Sequence, residues 1–143
     1  MLLPDQRLSA FLTFNGKAQE ATEFYETVFP DAKRVSLVLF GANEPNGDEG
    51  KVLNGTLELG GQRLLFMDMQ AAYPAPEFNW STSLFINCPN ETDFDHLFAK
   101  LSADGTVMMG PEPVGDLRKC AWVTDKFGVT WQFSYEKAKP TGV

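Results

Sequence analysis

The 143-residue chain predicts an α+β fold in which one structural phrase is stated twice: a strand, an amphipathic helix and three further strands over about 8–68, then the same order over about 81–135. Each half opens with a short run of strand formers and follows it directly with a stretch of helical spacing. Between the halves, about 69–80, lies a linker without periodicity. Two such halves, neither able to bury its own concave sheet face, would pair to enclose a pocket at their junction.

Leu8-Ser9-Ala10-Phe11-Leu12-Thr13-Phe14 is rich in strand formers and ends at Asn15-Gly16, which makes it strand one. Ala18, Ala21, Phe24, Tyr25 and Val28 then recur at helical spacing, with Asn15 or a neighbour able to cap the start and Pro30 just past the end. The single apolar face of this helix should cover the outside of the sheet. A second strand spans 35–40, and 41–50 is a polar, turn-rich loop with the composition of a mobile segment or lid. Strands over 51–59 and 63–67 flank Gly60-Gly61-Gln62, a short hairpin signal.

The linker carries two prolines together with Tyr73, Phe78 and Trp80, aromatics that either close over the pocket or pack the seam. The second half opens with the strand 83–88. Asn90 offers an N-cap with Asp93 three residues on, while Phe94, Leu97, Phe98 and Leu101 make the buried stripe and Gly105 follows as a stop. Strands over 106–109, 119–124 and 129–135 complete the unit, the last two joined by Asp125-Lys126-Phe127-Gly128. The remainder, 136–143, reads as a loose tail.

Composition narrows the function. The chain is 43% apolar, enough for a substantial core in one compact domain over 1–143. Acidic side chains outnumber basic ones, 19 to 12, so the surface field would repel phosphate backbones and anionic headgroups, and neither nucleic acid nor a membrane is expected as a partner. The start Met1-Leu2-Leu3-Pro4-Asp5 lacks a basic n-region and an apolar h-region, so a cytoplasmic location is expected. Cys88 and Cys120 have no metal-type spacing and are expected to be unreactive thiols.

The spellings Phe11-Leu12-Thr13-Phe14-Asn15-Gly16-Lys17-Ala18, Phe24-Tyr25 with Phe29-Pro30-Asp31, and Leu57-Glu58-Leu59-Gly60-Gly61-Gln62 resemble the PhnB-like branch of the vicinal oxygen chelate superfamily. Ser83-Leu84-Phe85-Ile86-Asn87-Cys88, Leu101-Ser102-Ala103-Asp104-Gly105 and Trp122-Val123-Thr124-Asp125-Lys126-Phe127-Gly128-Val129-Thr130-Trp131-Gln132 are similar to its most recognisable stretches. The resemblance implies paired βαβββ modules, the glyoxalase/bleomycin resistance/dioxygenase fold, with curled mixed sheets around a central cavity and commonly a homodimer. Glyoxalase I, extradiol dioxygenases and antibiotic-resistance proteins all belong to that superfamily, so membership fixes no reaction. Some PhnB-like proteins carry the label 3-demethylubiquinone-9 3-methyltransferase. This sequence has no Gly-rich turn between a strand and a helix to hold S-adenosylmethionine, and the implied fold is not a parallel-sheet one.

The superfamily's metalloenzymes place a divalent ion on four strand positions, near the start of the first and the end of the last strand of each module. The resemblance puts those positions at Ala10, Glu58, Ser83 and Gln132. A methyl group cannot ligate, a serine hydroxyl is a poor ligand, and a catalytic zinc needs about three good protein donors, so no metal and no other cofactor is expected. A two-His-one-carboxylate iron site is out of reach because His96 is the single histidine, and it lies off the apolar stripe of its helix.

If the four positions line the cavity, alternation sets Leu12 and Phe14 beside Ala10, Thr56 beside Glu58, Phe85 and Asn87 beside Ser83, and Thr130 and Ser134 beside Gln132. That is an apolar bowl with a few polar groups, suited to a small, partly apolar ligand. Glu58 is the candidate for any chemistry: in such a bowl its charge would lose hydration, suiting it to carry a proton near neutrality. A hydrogen bond to Gln132, Ser83 or Thr56 is the structural alternative. Asp125 reads as a turn residue, Trp122 and Trp131 as packing, and Asp68 as either a pocket rim or a solvated strand end.

Nucleophilic hydrolysis and nucleotide binding lack their motifs, Gly-x-Ser-x-Gly and Gly-x-x-x-x-Gly-Lys-Ser/Thr. Three readings remain: a metal-independent small-molecule binding protein; a lyase or isomerase of the glyoxalase type, metal-dependent or using Glu58 as base; and a non-catalytic dimeric interaction protein.

Overall fold

The computed structural model describes residues 2–116 and 118–136. Its contacts divide the chain into two units, Met1–Pro76 and Glu77–Val143. The first holds β1 (Phe11–Phe14), α1 (Ala18–Val28), β2 (Lys33–Leu39), β3 (Val52–Leu59) and β4 (Gln62–Asp68), and the second holds β5 (Ser83–Asn87), α2 (Glu91–Ser102), β6 (Thr106–Pro113), β7 (Arg118–Thr124) and β8 (Thr130–Glu136). The expected βαβββ order is present in each half. The expected tail falls, apart from Glu136, outside the described residues.

Each unit forms one four-stranded mixed sheet, β1-β4-β3-β2 and β5-β8-β7-β6. The first strand pairs parallel with the fourth, and all other neighbours are antiparallel. Hairpins alone cannot make a parallel pair, so the helix carries the chain over to the distant edge and two antiparallel returns bring the fourth strand back beside the first. Gly60 and Gly61 turn the β3–β4 hairpin with φ of 60° and 77°, a conformation a Cβ would oppose.

Register assigns every strand residue to one of two faces, because paired residues point the same way. In the first unit Phe14 pairs with Asp68, Leu12 and Gly55 both pair with Phe66, and Leu57 pairs with Leu64. This is the face under α1: Asp68 accepts from the Ala18 amide at the helix start, and Phe14, Leu57 and Phe66 are buried together with Ala21, Tyr25 and Val28 of the helix. Gly55 is a glycine because the Phe66 ring occupies the space of a Cβ, 2.2 Å away. In the second unit Trp131, Phe133 and Tyr135 lie under α2, where the Phe94 ring stands 5.1 Å from Phe133 and 5.7 Å from Tyr135. Burial of these large side chains, worth about 2 kcal/mol each, is what holds each helix to its sheet.

The helix ends differ from expectation in two places. Asn15 does not cap α1; Lys17 occupies the N-cap without a side-chain bond, and Asp68 Oδ1 instead accepts from Gly16 N at 2.8 Å and Ala18 N at 3.0 Å. The Asn15 amide ties down the segment after β4, donating to Ala75 O at 2.9 Å and accepting from Ala75 N at 2.8 Å. Asn90 does cap α2, accepting from Asp93 N at 2.9 Å. Past the far end of α2 it is Asp104, not Gly105, that adopts the left-handed conformation, at φ 58°. Gly105 is needed for space: a Cβ there would meet Thr124 O at 2.5 Å and Leu101 O at 2.6 Å.

Strand boundaries shift for local reasons. The first strand starts at Phe11 rather than Leu8, because Gln6 and Ser9 satisfy the Arg63 backbone with their side chains, Gln6 accepting from Arg63 N at 3.0 Å and donating to its carbonyl at 2.9 Å. The polar loop 41–50 carries its own bonds, Gly50 N to Phe40 O at 2.9 Å and Ala71 N to the Asp48 carboxylate at 2.9 Å.

Candidate functional site

In each sheet one face lies under the helix and the other, the far face, points away from it. The second unit places six predicted residues together on that far face. Ser83 pairs with Thr130, Phe85 with Gln132 and Asn87 with Ser134. Gln132 Nε2 donates to Ser83 Oγ at 2.8 Å, and Thr130 Oγ1 is 2.7 Å from Thr124 Oγ1. Thr130 and Ser134 are buried, whereas the Phe85 ring is 54% exposed.

The first unit does not match the expectation. Thr56 and Glu58 sit on the far face, paired with Leu65 and Arg63, but Leu12 and Phe14 sit under α1. The far-face residues of β1 are Phe11 and Thr13, opposite Leu65 and Met67. Ala10, whose carbonyl accepts from Leu65 N at 3.0 Å, precedes β1 on the parity of Leu12. The predicted lining was displaced by one residue, which in a strand exchanges faces.

Internal equivalence makes the same correction. Phe11 pairs with Leu65 as Phe85 pairs with Gln132, so Leu65 stands in the first unit where Gln132 stands in the second. Phe11 and Phe85 share even their exposure, 51% and 54%. Glu58 lies on β3, not on the last strand of its unit, and pairs across to Arg63.

The polar chemistry of the two far faces is therefore unlike. Glu58 Oε2 accepts from Arg63 Nε at 3.2 Å in an ion pair whose carboxylate side chain is 39% exposed. Its carboxylate is thus paired with a cation rather than isolated among apolar groups. Of the four metal positions, Ala10 has no side-chain donor atom, Glu58 is paired with Arg63, and Ser83 Oγ is engaged by the Gln132 amide nitrogen, and among the described residues no group of three or more His, Cys, Asp or Glu side chains converges. These residues do not fit a divalent ion.

Two carboxylates outside the far faces prove structural. Asp68 is 1% exposed and, besides the two amides at the start of α1, accepts from Val52 N at 3.0 Å, so it is neither a pocket rim nor solvated. Asp125 is likewise buried, accepting from Phe127 N at 2.8 Å, Val129 N at 3.2 Å and the Trp131 indole at 2.9 Å. Each buried carboxylate accepts from three N–H donors, an arrangement the chain uses twice. His96 is exposed on α2. Both cysteines are free; burial, with help from the Asp93 charge, pushes the Cys88 thiol up to about 11, which keeps it protonated and inert at neutral pH.

Sequence reasoning read Trp122 as packing and gave Phe11 no role in the lining. Trp122 pairs with Gln132 on the far face of the second sheet, where its ring meets that of Trp80 edge-on at 5.8 Å. Its indole N–H is buried without a hydrogen-bond partner among the described residues. Alternation counted across the β7–β8 hairpin from Gln132 would have found it.

The family model described as 3-demethylubiquinone-9 3-methyltransferase matches residues 6–134. The chain belongs to this family. A putative 3-demethylubiquinone-9 3-methyltransferase, the PhnB protein from Bacillus cereus, is 34% identical with a TM-score of 0.79, the alignment covering 91% of this chain and 99% of that one. A crystal structure of a Pseudomonas aeruginosa protein is 25% identical with a TM-score of 0.81, covering 94% of this chain and 100% of that one. A glyoxylase/bleomycin resistance protein/dioxygenase domain from Frankia, at 12% identity and a TM-score of 0.65 over 94% of this chain and 100% of that one, shares the fold. No curated protein matches. The PhnB-like assignment and the glyoxalase/bleomycin resistance fold expected from the sequence are thereby shown.

The family's description implies S-adenosylmethionine. Where a strand runs into a helix, an adenosyl cofactor is held by a glycine turn and open helix amides. Here those amides are already engaged, Gly16 N and Ala18 N by Asp68 and Asp93 N by Asn90, and the sheets are mixed rather than parallel. The residues do not fit that cofactor.

Proposed function

We propose that this family member is a metal-independent small-molecule-binding protein that takes a small, partly apolar ligand on the far faces of its sheets. The observation that carries the reading is the far face of the second unit. An exposed Phe85 ring and the Trp122 indole flank a Ser83–Gln132 pair, and no strand residue on that face between Ser83 and Asn87 or between Thr130 and Ser134 carries a charge. Apolar surface with a few fixed polar groups is the composition of a ligand site. Catalysis by Glu58 would first require its release from Arg63.

Differential scanning fluorimetry against aromatic and antibiotic libraries, with and without a chelator, tests this. Ligand stabilisation that persists in chelator is expected, since binding to the folded state alone raises its stability by mass action. Stabilisation seen only with metal, or a stoichiometric divalent ion in protein purified without a tag, overturns it.

The reading includes a cytoplasmic homodimer. β2 and β6 each end a sheet, with Val38 and Val107 exposed on them, and such edges call for a partner or a cover. Light scattering at twice the 15.9 kDa chain mass is expected, and a monomer removes this part. Among the described residues no helix is long and apolar enough to cross a membrane.

A further inference from the structure

We infer that Trp122 Nε1–H is the donor that orients the ligand, and that the ligand is an uncharged planar molecule presenting a carbonyl oxygen beside an N–H or O–H. The inference rests on the proposed ligand-binding reading and goes further by naming the atoms and the ligand class. A buried N–H left unpaired costs the folded protein free energy, so its persistence calls for a partner. Trp122 Nε1 is such a group. It stands on the far face, directly across from Gln132, and paired residues on neighbouring antiparallel strands hold their Cβ atoms about 5 Å apart.

The Gln132 amide is half used. Its nitrogen donates to Ser83 Oγ at 2.8 Å, which fixes the amide's orientation and leaves Oε1 as an acceptor. One donor and one acceptor on adjacent residues complement a group with the reverse order, such as a lactam or a hydroxyl next to a carbonyl. The aromatic rings define the rest of the ligand. Trp80, 60% exposed and edge-on to Trp122 at 5.8 Å, can swing away because it lies in a segment outside any strand or helix, and its departure opens the Trp122 ring for stacking. The neighbouring far-face residues Ser83, Phe85 and Asn87 carry no charge, the cation on this face, Arg118, is engaged by Glu136 at 3.0 Å, and the chain's net charge is −7, so the face disfavours an anion.

The test is ¹⁵N-edited NMR of the full chain titrated with 2-quinolone, naphthalene and 2-naphthoate, the Trp122 indole resonance being assigned by its loss in Trp122→Phe. A saturable downfield shift of that resonance with 2-quinolone, at least threefold larger than with naphthalene and absent with 2-naphthoate, is expected. Trp122→Phe should lose at least fivefold in 2-quinolone affinity, read from the backbone amides of Phe85 and Gln132, while its own Tm is equal to or above that of the wild type. A lowered Tm would assign Trp122 to packing and overturn the inference. Saturable shifts at Phe85 and Gln132 without movement of the indole would overturn the donor role and leave the ligand-binding reading standing. Silence of the whole far face with all three probes would remove both.

Discussion

The two units share a topology and differ in how each secures its helix and in what its far face displays. α2 is capped within its own sequence, by Asn90 three residues before the amide it satisfies, whereas α1 borrows Asp68 from the last strand of its sheet, 50 residues from Ala18. Each far face bears an ion pair, Glu58 with Arg63 in the first unit and Arg118 with Glu136 in the second, and the second adds an amide bonded to a hydroxyl, Gln132 to Ser83. One backbone plan thus carries two unlike solutions to the same physical demands, and the amides at the start of α1 take their side-chain acceptor from the end of β4.

The largest expected effect follows from that dependence. Asp68→Ala strips the acceptor from three amides at once and should cost about 3 kcal/mol, since each buried donor left without a partner costs roughly 1–3 kcal/mol. Asn90→Ala removes one local cap and should cost about 1 kcal/mol. Urea unfolding followed by far-UV circular dichroism compares them; equal losses would break the contrast between borrowed and local caps.

Glu58→Gln sharpens the contrast between the far faces. An exposed ion pair is worth at most about 1 kcal/mol, so a change within about 0.5 kcal/mol is expected, with ligand-induced stabilisation of the whole chain unaltered. If ligand stabilisation vanished with this variant, the second far face would lose its place as the binding surface.

A further effect is alkaline. The folded Cys88 thiol, lifted from 9.0 to about 11, keeps its proton where the unfolded chain loses it, so its contribution to stability is complete below about pH 9 and is lost as pH rises from 9 to about 11. Tyr135 acts in the same direction, its hydroxyl raised first by its 2.7 Å hydrogen bond to Glu91, then by burial and by the charges of Glu91 and Asp95. Replacing Cys88 by Ala should flatten part of the decline between pH 8 and 10.5, measured by chemical denaturation at each pH. An identical decline in the variant would assign the whole effect elsewhere.

The repeat, both helices and all eight strands were legible because their signals are local: helical spacing at Ala18, Ala21, Tyr25 and Val28, an Asn cap before Phe94, paired glycines between β3 and β4. β1 misled because Leu8 to Phe14 is apolar at nearly every position, so alternation could not say which residues face the helix, and Leu12 and Phe14 were given the far face that belongs to Phe11 and Thr13. Asp68 was opaque for a different reason: its partners are 16, 50 and 52 residues away, and no spacing rule reaches them. Glu58 was within reach, since the glycine turn that follows it already marks β3 as the strand before the last.

The three tryptophans of the chain, Trp80, Trp122 and Trp131, all fall in the second unit. Trp131 is sealed from solvent with its indole on the Asp125 carboxylate, while Trp80 stands 60% exposed. Intrinsic emission excited at the red edge of indole absorption is accordingly a private channel for one half of the molecule: a melting curve recorded that way can look intact while α1 and its sheet have already come apart.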